Sequence, residues 1–209
     1  MRMVRRTPCR IMVLLIAAAI PAGAQTTRRA YVDRASGVSF SYPANWLLNA
    51  DDDAATGKLR IVTEGQPIAV VQLEGNFADD GPDGPYKGTD FEAGAFAFVM
   101  SPRTTAESCY SALDPIAGDE QKPVPAVWNG LPARRLEARY EVASTKDSHE
   151  IVATYRRGQC YLFESVIVSK SVDGPIKALA PAQWKVIRAQ FARVMQSVRI
   201  SSLSSNKPL

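Results

Sequence analysis

Histidine occurs once in these 209 residues and cysteine three times. So few soft ligands argue against a structural zinc centre, which takes four. No C-x-x-C is present, which removes the usual redox motif. No G-x-S-x-G elbow marks a serine as activated. The longest apolar run, Ile11 to Ile20, has ten residues, about half of the ~20 that a membrane-spanning helix needs. No segment repeats at a fixed period, so a solenoid is not expected.

That apolar run sits in a recognisable setting. Arg2, Arg5, Arg6 and Arg10 precede it without an acid, and Pro21 and the small residues Ala22-Gly23-Ala24 follow. These are the three regions of a secretory signal peptide, and cleavage is expected after Ala24. A membrane anchor is the competing reading, disfavoured by length. The residues after Arg5-Arg6 do not resemble a twin-arginine signal, and Cys9 lies ahead of the run, where a lipoprotein cysteine would not. Residues 1–24 are thus read as signal. About 185 residues remain, the size of one domain. Without the four arginines, 21 basic residues face 21 acidic ones. The formal charge of +4 belongs to the precursor, and with it goes the argument for nucleic acid or an anionic membrane as partner. The expected location is periplasmic or secreted.

Two cysteines stay in the mature chain, Cys109 and Cys160. An even count in an oxidising compartment reads as one disulfide; two unrelated buried thiols are the alternative.

Residues 25–30 are polar and expected to be disordered, residues 31–200 form the domain, and residues 201–209 are a flexible tail. Gly37 to Tyr42 alternates Val38, Phe40 and Tyr42 with Ser39 and Ser41, a half-buried strand that Pro43 ends. Trp46 can pack back across the sheet end. Strands are expected over Leu59 to Thr63, Ile68 to Leu73 and Ala93 to Met100. Asn76 to Asp90 is a Gly/Pro/Asp-rich loop. Thr104-x-x-Glu107 has capping-box spacing and predicts a short helix that carries Cys109. Asn129-Gly130 predicts a two-residue hairpin turn. After it, Leu136, Ala138, Tyr140 and Val142 alternate with Arg135, Glu137, Arg139 and Glu141. Glu150 to Arg156 turns at Arg157-Gly158 into Gln159 to Val168, apolar on both faces and therefore central in its sheet. Ala182 to Gln196 places Trp184, Ile187, Phe191, Val194 and Met195 on one helical face. Val198 and Ile200 fit a short last strand.

The run Gly37-Val38-Ser39-Phe40-Ser41-Tyr42-Pro43-Ala44-Asn45-Trp46 resembles the G-[VI]-x-[FI]-x-[YF]-P-x-x-W opening motif of PsbP/Mog1-like domains. Phe191 with Met195-Gln196-Ser197-Val198 resembles their closing F-x-x-[IVM]-x-x-S-[FV]. The central meander agrees in order, so the resemblance covers roughly residues 31 to 200. It implies an α+β fold in which an antiparallel β-sheet is sandwiched between helices (α/β/α). It also implies a role in binding, since members of that family act mostly as accessory subunits, as a GTPase partner or as cell-envelope factors. No catalytic set carries over.

Individual residues add candidates. His149 lies in a polar stretch, Ser144 to His149, that reads as a hairpin turn; a solvated turn residue is preferred over a triad member. Asp79, Asp83, Gly84 and Asp90 fall at positions 1, 5, 6 and 12 of an EF-hand-like count, with Tyr86 near the carbonyl position. Gly81 at position 3, two prolines and the missing flanking helices favour a plain loop instead. No metal or cofactor is therefore expected. Asp79, Asp83, Tyr86 and Asp90 are kept as candidates for a partner surface, and Phe77, Tyr86 and Phe91 are either anchored to the core or offered to a partner. The Arg135/Glu137/Arg139/Glu141 face is the wet side of a strand or part of such a surface.

These readings describe an exported, non-catalytic binding or accessory domain of the bacterial cell envelope that docks a protein. The alternative is a carrier of a small molecule or lipid, with its pocket between sheet and helices. A hydrolase using His149 is a distant third.

Overall fold

The computed structural model describes residues 27–48, 59–74, 86–117, 121–170 and 176–201. Seven antiparallel strands form the main sheet, in the order β3 (Leu47–Leu48), β4 (Ala69–Glu74), β5 (Phe91–Pro102), β9 (Gln159–Lys170), β8 (Thr145–Arg156), β7 (Leu131–Val142) and β6 (Val124–Trp128). The strand that the sequence makes apolar on both faces, β9, is the middle one. A smaller sheet joins β1 (Arg28–Val32), β2 (Val38–Pro43) and β10 (Arg199–Ile200). The strand Arg28–Val32 starts inside the stretch read as disordered and pairs with Ser39 to Pro43 of β2.

Turn chemistry sets the meander. Asn129 (φ 50°) and Gly130 (φ 78°) both take the left-handed conformation that a two-residue hairpin turn requires. The Asn129 amide also donates to Val198 O at 2.7 Å, tying this turn to the end of the last helix. A second turn of this kind, at Arg157 and Gly158, joins β8 to β9.

Each face of the main sheet carries its own apolar layer. On one side lies the long helix α3 (Pro181–Ser197), which buries Ile187, Phe191, Val194 and Met195. These are the positions that helical periodicity selects, and each such side chain contributes about 1.5–3 kcal/mol on burial. Phe40, Phe96, Phe98 and Phe163 fill the layer together with β2. Trp46 is buried against the Phe191 ring, with centroids 4.4 Å apart. Ser41 N donates to Ser197 Oγ at 2.9 Å and fastens the helix to β2.

On the other side lie two short helices, α1 (Ala106–Tyr110) and α2 (Asp114–Ala117), with a 3-10 turn at Ile61–Glu64. Cys109 on α1 is disulfide-bonded to Cys160 on β9, as the cysteine count requires. The fold is thus α+β, an antiparallel sheet between helical layers.

Two local expectations are corrected. Leu59 to Thr63 is not a strand: the Arg60 and Ile61 amides donate to the Glu164 carboxylate instead of to a ladder, and the chain tightens into the 3-10 turn. The capping box lies one residue later than expected. Thr105 Oγ1 accepts from Ser108 N at 3.1 Å, and Ser108 Oγ accepts from Thr105 N at 3.3 Å. Serine makes the return contact that was assigned to glutamate.

Candidate functional site

The sheet is wider than the helix that roofs it. α3 runs over β2, β5 and β9, and the outer strands β7 and β8 continue beyond it. Strand alternation turns Arg135, Glu137, Arg139 and Glu141 of β7 towards that open side. Where the N-terminal half of α3 meets these strands there is a cleft of about 500 Å³. Its floor is Arg139, Glu141, Lys146, Ser148, Ile167 and Ser169, and its wall is Trp184 and Arg188 of α3. Asp90 also lines it, and Tyr140 and Asp147 reach its edge.

The polar groups of this face are unevenly matched. Arg135 binds Glu137 at 2.8 Å and Glu150 at 2.9 Å. Lys146 binds Glu141 at 3.2 Å. Asp90 Oδ1 accepts from Leu179 N at 2.6 Å, and the Asp90 backbone also bonds Lys177 O and Lys170 N. Asp90 is therefore a brace that holds the start of β5, the end of β9 and the approach to α3 together. Arg139 forms no ion pair among the described residues. Arg188 lies over the Trp184 ring, 5.8 Å from its centroid. Trp184 is half-buried and edge-on to Phe91 at 6.0 Å.

Of the residues proposed for a partner surface, Asp90 lines the cleft. Tyr86 packs on Phe91 with centroids 5.0 Å apart, so both aromatics are anchored to the core. Burial pushes the Tyr86 phenol above its ordinary value. Asp79 and Asp83, with Gly84 and Phe77, lie outside the described residues. Among the described residues, no cluster of three or more His, Cys, Asp or Glu side chains is placed to hold a metal ion.

His149 is not a solvated turn residue. The turn is confined to Ala143 and Ser144, β8 starts at Thr145, and the imidazole is buried on the α1 side of the sheet. Its Nδ1 lies 2.6 Å from Glu164 Oε1 on the neighbouring strand. Glu164 Oε2 in turn accepts from Arg60 N (2.8 Å) and Ile61 N (3.0 Å). Tyr140 stands edge-on to the imidazole at 5.3 Å and carries the Arg60 guanidinium on its ring. The other ring nitrogen, Nε2, is buried and has no hydrogen-bond partner among the described residues. Sequence reasoning missed Glu164. The available signal was a single carboxylate inside an otherwise apolar central strand, which must find donors when it is buried.

No family model matches the chain, and no curated protein matches it. Solved structures do. One is the PsbP protein of the cyanobacterium Synechocystis, 16% identical, with TM-score 0.42 over 88% of this chain and 99% of that one. Another is the Ran-binding protein Mog1p of Saccharomyces cerevisiae, 6% identical, with TM-score 0.45 over 84% and 96%. A third is LpqN of Mycobacterium tuberculosis, a protein involved in cell envelope biogenesis, 9% identical, with TM-score 0.44 over 87% and 88%. The likeness is one of fold. No helix among the described residues is long and apolar enough to cross a membrane.

Proposed function

We propose that this protein is an exported accessory domain of the bacterial cell envelope, that it has no catalytic role, and that it docks a protein partner at the open end of its sheet. The observation that carries this reading is the cleft between α3 and the outer strands. It is a concave surface lined mostly by charged residues, set beside the helix on that sheet face. The Cys109–Cys160 bond fits an oxidising compartment, in line with the signal-like residues 1–24. The single histidine supports a binding role over hydrolysis: its side chain is fully buried, where it would not reach a substrate as general base.

The carrier reading is weaker for a physical reason. The cleft has the volume of a small-ligand site, but such sites are lined mainly by apolar and aromatic groups. Here the lining is mostly charged or hydroxylic, which suits a polar surface and not an acyl chain.

A photoreactive amino acid placed at Ser148, on the cleft floor, tests this. In the native envelope it should give one discrete protein adduct. The same group at Val127, on the exposed edge strand β6, should not. No adduct from Ser148, or the same adducts from both positions, would overturn the reading.

A further inference from the structure

We infer that the cleft recognises an acidic segment of the partner, with a carboxylate held between Arg139 and Arg188 and an apolar side chain laid against Trp184. This rests on the docking role proposed above and adds the chemistry of what is docked.

The cleft carries cations that its own acids do not pair. Two of the acids at the cleft already have a donor: Glu141 has Lys146, and Asp90 has the Leu179 amide. The acids further along the same face, Glu137 and Glu150, share Arg135. Asp147 alternates with Lys146 and Ser148 and so springs from the reverse face of β8; it reaches only the cleft's edge, where its Oδ1 is buried without a hydrogen-bond partner among the described residues. Two cations remain. Arg139 and Arg188 are exposed and form no ion pair among the described residues, and Arg188 lies over the Trp184 ring. A guanidinium presents a planar fork of donors that matches a carboxylate in a bidentate fashion. Both guanidinium groups line the same cleft. A guanidinium resting on an indole also keeps its N–H edge open while its face is occupied.

The surroundings choose the kind of anion. The floor mixes acids with bases, and the chain without residues 1–24 has no net charge. A polyanion such as nucleic acid would meet Glu137, Glu141 and Glu150 as well as the arginines. One or two isolated carboxylates next to an apolar side chain meet the arginines alone, and Trp184 supplies the apolar contact. An acidic peptide is the occupant that both features fit.

A phage-displayed random heptapeptide library, panned on the disulfide-bonded domain, supplies the probe. Binders should be enriched in Asp and Glu beside an apolar residue. They should lose at least tenfold in affinity on the Arg139→Gln/Arg188→Gln double variant and weaken as salt is raised. Both arginines are exposed, so the double variant should fold, and circular dichroism checks this. Binders without acidic enrichment that still depend on Trp184, tested with Trp184→Ala, would overturn the acidic inference and leave the docking site standing. Acid-rich binders indifferent to the double variant would also overturn it. A library that yields no cleft-dependent binder would overturn both.

Discussion

Nδ1 of His149 lies 2.6 Å from Oε1 of Glu164, and both side chains are wholly shielded from water. The contact links three parts of the chain. Glu164 sits on the central strand, His149 on its neighbour, and the second carboxylate oxygen takes the amides of Arg60 and Ile61. A segment with little regular structure of its own is thereby pinned to the middle of the sheet.

Replacing Glu164 should therefore cost more than replacing His149. Glu164→Ala leaves the Arg60 and Ile61 amides and the imidazole without their partner, and three lost bonds at about 1–3 kcal/mol each set a loss of at least about 3 kcal/mol. His149→Ala leaves the carboxylate its two amides and should cost about 1–3 kcal/mol, the scale of one lost buried hydrogen bond. Denaturant midpoints of the two variants measure the order. Equal losses, or a larger one for His149→Ala, would contradict this account.

Reduction gives a separate test. Cys109 and Cys160 are 51 residues apart in sequence, and the bond between them closes that loop in the unfolded chain. The chain-entropy model sets its contribution at about 4 kcal/mol. Adding a thiol reductant, or changing both residues to serine, should lower the denaturation midpoint by a matching amount. An unchanged midpoint would mean that the α1 layer holds without its covalent tie.

Much of the fold was legible because simple periodicities were strong. The 3.6-residue spacing of Ile187, Phe191 and Val194 marked the roofing helix, and the two-faced apolar run in Gln159 to Val168 marked the centre of the sheet. Asn129-Gly130 marked its own turn. What failed were segments whose backbone partner is a distant side chain. Leu59 to Thr63 has strand-like residues, yet its amides are claimed by Glu164, more than a hundred residues away. His149 has polar neighbours on both sides, Ser148 and Glu150. Period-two alternation turns those two outward and the imidazole inward, and a turn reading hides this. The cleft was half visible: the charged face of β7 is evident, but helical periodicity places Trp184 on the core face and gives no reason to single out Arg188. Only the helix position joins them to Arg139.

Alkaline titration follows from the buried phenols. Tyr31, Tyr86 and Tyr161 are each raised above the ordinary value of 10.0, first of all by burial. Tyr161 also donates to Ser36 O at 3.2 Å. The folded protein thus keeps protons that the unfolded chain releases. Their contribution is fully present below pH 10 and is lost as pH rises through the folded values. Phenolate absorbance should show part of the tyrosine ionising above its ordinary range, with stability falling over the same interval. Complete ionisation near pH 10 with the fold intact would refute the burial of these rings.

The packing of the helix on β5 depends on a missing side chain. A Cβ built on Gly94 of β5 would stand 2.5 Å from Cζ and 2.6 Å from Cε2 of Phe191, well inside contact distance. Phe191 is held from its other side by Trp46, 4.4 Å away, so the ring has nowhere to retreat. Gly94→Ala should therefore destabilise by about 1–3 kcal/mol, the usual scale of overpacking. The cause is steric, so it should depend on the ring. In a Phe191→Leu background the added methyl meets a smaller side chain, and its cost should shrink to a fraction of the wild-type value. A double-mutant cycle reads that difference as a coupling energy. If Gly94→Ala costs the same in both backgrounds, the glycine is needed by the strand itself and not by the helix packed on it.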